Sequence, residues 1–86
     1  KAVLTKLPED IRILTEALKL RDWKALEFKA HNLISSLSIL HEDLGIELSR
    51  KLEKSSRDCE EKNSMIIGTD LIEFLKTLET ADNHSI

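Results

Sequence analysis

Apolar residues in this chain recur at steps of three and four, in four stretches with very little sequence between them. Leu4, Leu7, Ile11, Leu14 and Leu18 draw the first stripe, a spacing that sets all five on one side of an α-helix. Pro8 lies within it. Proline has no N–H to give the preceding turn, so it starts or kinks a helix. The pattern therefore predicts a short helix at about 2–7 and a main helix from Pro8 to Leu20. Glu9 and Asp10 then occupy the first turn, where the helix dipole favours acid. Leu26, Ala30, Leu33, Leu37 and Leu40 draw a second stripe behind Asp22, which reads as an N-cap. This predicts a helix from Trp23 to about Leu40. The short step from Leu20 to Asp22 makes the two helices antiparallel neighbours.

His41-Glu42-Asp43 interrupts the pattern, and Leu44, Leu48, Leu52 and Cys59 resume it on a third helix to about Glu61. Gly45 falls in its first turn, where it costs less than in mid-helix. Cys59 continues the stripe as a small buried hydrophobe. Lys62-Asn63-Ser64 reads as a polar connector. The last helix, roughly Ser64 to Thr80, packs with Ile67, Leu71, Phe74, Leu75 and Leu78. Gly68 and Thr69 weaken its first half. Residues 81–86 read as a polar tail. Eighty-six residues make one domain, here 1–80, and two Gly and one Pro are too few turns for a many-stranded sheet. The predicted fold is all-α, an antiparallel four-helix bundle with a short extra N-terminal helix.

Composition narrows the function classes. The net charge is -3, the wrong sign for a nucleic-acid partner. Trp23, Phe28 and Phe74 are the only aromatics, so no base-stacking platform is expected. Cys59 is alone and makes no internal disulfide. No apolar run approaches the ~20 residues of a membrane span, and no signal peptide is visible. The chain starts at Lys1 and reads as a piece of a longer protein or as a processed one. No P-loop, glycine-rich nucleotide loop or kinase signature is present, so an enzyme in its own right is not expected.

His31 stands apart. With Leu26 at the centre of the core stripe, a helix turning 100° per residue carries His31 roughly 140° away, out of the core. Lys24, Glu27, Phe28, Ile34, Ser35 and Ser38 fall within about 60° of it. The two serines are short and leave the ring approachable. Phe28 and Ile34, if exposed, offer a partner apolar area. Imidazole is nucleophilic at neutral pH and can carry a phosphoryl group on nitrogen. Glu27 could accept a hydrogen bond from the ring. The plain alternative is a solvated surface histidine. A metal site has little to recommend it. Glu27 and His31 are one turn apart and His41 and Glu42 adjacent, but inward Glu-x-x-His pairs on two helices are missing.

Asp22-Trp23-Lys24-Ala25-Leu26, then Ala30-His31-Asn32-Leu33-Ile34-Ser35-Ser36-Leu37-Ser38-Ile39-Leu40, then Leu52-Glu53, resembles the histidine-phosphotransfer (HPt) domains of bacterial multistep phosphorelays. The double serine with alternating Leu and Ser is similar to HPt domains of hybrid sensor histidine kinases of Bacteroidetes type. The resemblance runs through nearly the whole chain. It implies a phosphoacceptor at His31, with Ser35, Ser38, Lys24 and Glu27 near the phosphoryl group and Phe28 and Ile34 docking a receiver. It implies no cofactor or metal of the domain's own, Mg²⁺ on the partner receiver, and response-regulator receivers as partners. No nucleic acid or direct membrane contact is implied. A monomer is expected, cytoplasmic, as the C-terminal part of a membrane-bound sensor kinase.

Two positions depart from the family pattern. Ile34 stands where the family has Lys, three after the histidine. His41 stands where it has Gly, ten after. The first supports a rival reading, a degenerate module that docks a receiver without phosphotransfer. A second rival is an unrelated helical adaptor domain.

Overall fold

The computed structural model describes residues 6–84. Four helices follow one another: α1 (Leu7–Leu20), α2 (Trp23–Ile39), α3 (Asp43–Arg57) and α4 (Glu61–His84). Each packs against the next, and α4 closes back on α1, the up-and-down four-helix arrangement. The short helix expected at 2–7 falls mainly on residues outside the described ones. Leu7 itself opens α1, with Pro8 in its first turn.

All three connections use one device. The helix ends, one residue turns left-handed, and two backbone bonds close the end. After α1 the left-handed residue is Arg21, with Asp22 N–H to Ala17 at 2.9 Å and Arg21 N–H to Leu18 at 3.2 Å. After α2 it is His41, with Glu42 N–H to Leu37 at 3.0 Å and His41 N–H to Ser38 at 3.1 Å. After α3 it is Cys59, with Glu60 N–H to Ser55 at 2.9 Å and Cys59 N–H to Ser56 at 3.0 Å. These are Schellman ends, where glycine is the usual left-handed residue. None of the three is glycine, so each carries the steric cost of a Cβ in that conformation. Asp22 then caps α2 as expected, its carboxylate accepting from Ala25 N–H at 3.2 Å.

The third connection corrects the predicted boundaries. Helix α3 stops at Arg57, short of Glu61, and α4 begins at Glu61 rather than Ser64. Cys59 is the exposed left-handed residue between them, not a core member. With no glycine at the turn, nothing in the sequence marked it. Helix α4 also runs past Thr80 to His84.

Of the predicted stripes of α1 and α2, Leu7, Leu14, Leu18, Leu26, Ala30, Leu33 and Leu37 are buried in the core; Ile11 and Leu40 are half-buried against it, and Leu4 lies outside the described residues. Helix α3 is turned differently. Its buried face is Gly45, Ser49, Leu52, Ser55 and Ser56, while Leu44 is exposed and Leu48 half-buried. Gly45 explains the turn. A Cβ there would lie 2.6 Å from Phe74 and 2.8 Å from Leu37, so the backbone itself is packed between α2 and α4. Gly68 does the same on α4, where a Cβ would come 2.8 Å from Leu18. It is a close-packing position against α1, not a weak start. Ser64, one turn before it, is buried and donates to Ser55 Oγ at 3.0 Å. Ser49 and Ser56 hydroxyls are buried without a hydrogen-bond partner among the described residues.

One ion pair is largely sheltered. Lys29 Nζ on α2 meets Asp10 Oδ1 on α1 at 2.9 Å, with side chains 18% and 10% exposed. Lys29→Met strands the carboxylate and lowers stability by about 3 kcal/mol in urea unfolding at neutral pH; adding Asp10→Leu restores most of the loss. His41→Gly removes a left-handed Cβ and raises stability by about 1 kcal/mol, seen as a higher Tm. An unchanged or lower Tm would show that the His41 side chain offsets its backbone cost.

Candidate functional site

His31 projects from the middle of α2, and its side chain is 69% exposed. A mid-helix position fixes its backbone, so only the ring's own torsions remain to be set. Helix α3 sets them. Its Glu53 places Oε2 at 3.0 Å from His31 Nδ1. An ionised carboxylate only accepts hydrogen bonds, so Nδ1 is the donor. In the neutral ring that leaves the lone pair on Nε2, the nitrogen away from the carboxylate. Glu53 is 17% exposed while the ring is mostly in water. The carboxylate is thus the seated partner and the imidazole the accessible one.

The pairing follows from antiparallel register. Glu27 and His31 lie one turn apart on α2, and Glu53 and Arg57 one turn apart on α3. Stepping forward on one helix matches stepping back on the other, so His31 meets Glu53 and Glu27 meets Arg57. Arg57 Nε donates to Glu27 Oε2 at 3.2 Å, and its Nη2 donates to Glu53 Oε2 at 3.1 Å. The hydrogen bond to Glu27 raises the Arg57 guanidinium further above the ordinary arginine range. Desolvation opposes this, and the charges of Glu27, Glu53 and Asp58 add to it. Arg57 is therefore a permanent cation.

A groove of about 380 Å³ lies beside the ring, lined by Lys24, Glu27, Phe28, His31 and Glu53. It extends toward the N-terminal end of α2 because helical side chains lean that way. Phe28 is 67% exposed at its edge. Lys24 makes no ion pair among the described residues and supplies a cation to the groove.

The predicted neighbours separate into two groups. Lys24, Glu27 and Phe28 gather with His31, whereas Ile34, Ser35 and Ser38 do not line the groove. Ser38 Oγ donates to its own helix, to Ile34 O at 2.7 Å. Ile34 is half-buried rather than exposed. Glu27 does not bond the imidazole as suggested; it holds Arg57, and Glu53 takes the ring. The sequence reading gives Glu53 no role beyond the Leu52-Glu53 pair and gives Arg57 none. The signal for both was the turn spacing of an acid and a base on α3 opposite a matching spacing on α2.

Among the described residues, no group of three His, Cys, Asp or Glu is placed to hold a metal ion. No described helix is long and apolar enough to cross a membrane. Set against known proteins, the chain matches no family model, no curated protein and no solved structure.

The seated carboxylate gives a spectroscopic expectation. At alkaline pH, ¹⁵N NMR will show His31 mainly as the Nδ1–H tautomer, and Glu53→Ala will return it toward the Nε2–H form. His41, on a turn with no ring hydrogen bond among the described residues, will be unchanged. An Nε2–H majority at His31 in the unaltered protein would contradict the geometry.

Proposed function

We propose that this domain is a phosphorelay intermediate of the histidine-phosphotransfer type. His31 Nε2 accepts a phosphoryl group from a receiver-domain phospho-aspartate and passes it to another receiver. The observation that carries this reading is the Glu53 contact at 3.0 Å. It fixes an exposed imidazole with its nucleophilic nitrogen pointing outward, on a rigid helix, beside an open groove.

The chemistry asks little else of the bundle. Phosphoryl transfer needs in-line approach and neutralised oxygens. The receiver brings the activated phosphoryl group and Mg²⁺. This domain brings the acceptor, with Phe28 as apolar docking area and Lys24 as a cation at the groove. Glu53 offsets the positive charge that develops on the ring as Nε2 bonds to phosphorus. The domain carries the group and has no catalytic site of its own. It acts as a monomer in the cytoplasm, within a sensor kinase anchored in the membrane.

A second reading rests on Ile34. It places an apolar side chain where the family has a lysine, which favours a docking module that has lost phosphotransfer. Mixing the domain with a charged receiver and Mg²⁺ separates the two. Acid-labile phosphate will appear on the unaltered protein and not on His31→Ala. Ile34→Lys will raise the transfer rate roughly ten-fold by adding a charge-stabilising donor. If the receiver binds and stays charged, with no label on His31, the docking reading stands in place of the relay.

A further inference from the structure

One oxygen in this site does two jobs. Glu53 Oε2 faces His31 Nδ1 at 3.0 Å and also accepts from Arg57 Nη2 at 3.1 Å. Arg57 is in turn held from the other helix, its Nε bonded to Glu27 Oε2 at 3.2 Å. Two carboxylates on two helices thus grip one planar guanidinium, a geometry arginine satisfies and lysine does not. An exposed i,i+4 pair by itself restrains a side chain little. The anchor on Glu27 changes that, because the guanidinium cannot follow Glu53 into water without breaking its bond to α2. Packing seats the Glu53 side chain, but apart from Arg57 the one hydrogen-bond partner of its Oε2 among the described residues is the exposed ring.

We propose that Arg57 is a positioning residue for His31. Anchored on Glu27, it holds Glu53 Oε2 against Nδ1 and so keeps the ring in the tautomer and orientation that leave Nε2 free. This rests on the reading of His31 as a phosphoryl acceptor and adds a residue to it. In the transfer step the Nε2 lone pair forms the N–P bond as the donor's P–O bond breaks and its aspartate carboxylate leaves. The Nδ1 proton stays in the hydrogen bond to Glu53 throughout. Arg57 makes its hydrogen bonds to Glu27 and Glu53, and none to the ring, among the described residues. Its effect reaches Nε2 through Glu53 alone.

The charged groups around the ring are Lys24 and Glu27 from α2 and Glu53 and Arg57 from α3. The test removes only Arg57. Arg57→Gln and Arg57→Lys are compared with Lys54→Gln, which deletes a positive charge on α3 that pairs with Asp58 instead. Two quantities are read: the His31 tautomer by ¹⁵N NMR at alkaline pH, and the rate of phosphorylation by phosphoramidate. That donor needs no receiver; its P–N bond breaks and ammonia leaves.

Arg57→Gln will lower the Nδ1–H share and slow labelling roughly ten-fold, the lower end of what losing an orienting partner does at metal-bound histidines. Arg57→Lys will recover part of both, and Lys54→Gln will change neither. A tautomer unchanged in Arg57→Gln overturns the proposal, whatever the rate does. Tautomer shifts in the expected order, with no labelling of the unaltered protein by phosphoramidate or by a charged receiver, would sustain the positioning role and remove the phosphoryl reading.

Discussion

Helix α3 faces the bundle with glycine and serine more than with leucine. This lets its backbone sit between Leu37 of α2 and Phe74 of α4, where a single added methyl at Gly45 would collide with both. Close approach fixes rotation as well as distance. Were α3 turned to bury Leu44 and Leu48, Glu53 and Arg57 would swing away from α2 together. The small-residue face therefore determines which polar side chains meet across the helix pair, and His31 obtains its carboxylate partner as a result.

The end of α2 contributes the other half of the constraint. Its left-handed turn at His41 returns the chain within a few residues, so α3 has little freedom to slide along α2. Register and rotation together place two residues of α3 opposite two of α2. A slip of one turn in one direction would leave Glu53 facing Glu27, two carboxylates in contact, and in the other would set Arg57 against His31 and leave Glu27 without its cation. Charge pairing thus agrees with the packing, and this agreement across levels is what makes one arrangement preferred.

Much of this is legible in the sequence. The leucine stripes of α1 and α2, the cap at Asp22 and the exposure of His31 follow from spacing, because large apolar residues at helical period have one sensible place to go. The failures share a cause. Serine and glycine carry no hydropathy signal, so the leucine spacing on α3 finds Leu52 but points to Leu44 and Leu48 where Gly45 and Ser49 are buried. Cys59 is apolar and in phase with the stripe, yet it occupies a left-handed helix end where backbone sterics favour glycine. Glu53 and Arg57 are ordinary surface residues in one helix considered alone. They become a site only when a second helix is laid beside them in a known register, which is tertiary information.

The short connections bear on how the molecule assembles. Each of the first three helix contacts joins chain neighbours, so little loop entropy has to be overcome to form them, and such topologies fold quickly. The α1–α4 contact is different: Leu18 must find Gly68 across most of the chain. The α2–α3 hairpin joins chain neighbours, but the rotation that brings Glu53 to His31 is fixed only when Phe74 of α4 packs on Gly45. The site on the α2–α3 face is therefore completed from behind, by the last helix to be made, which supplies none of the groove's lining residues Lys24, Glu27, Phe28, His31 and Glu53.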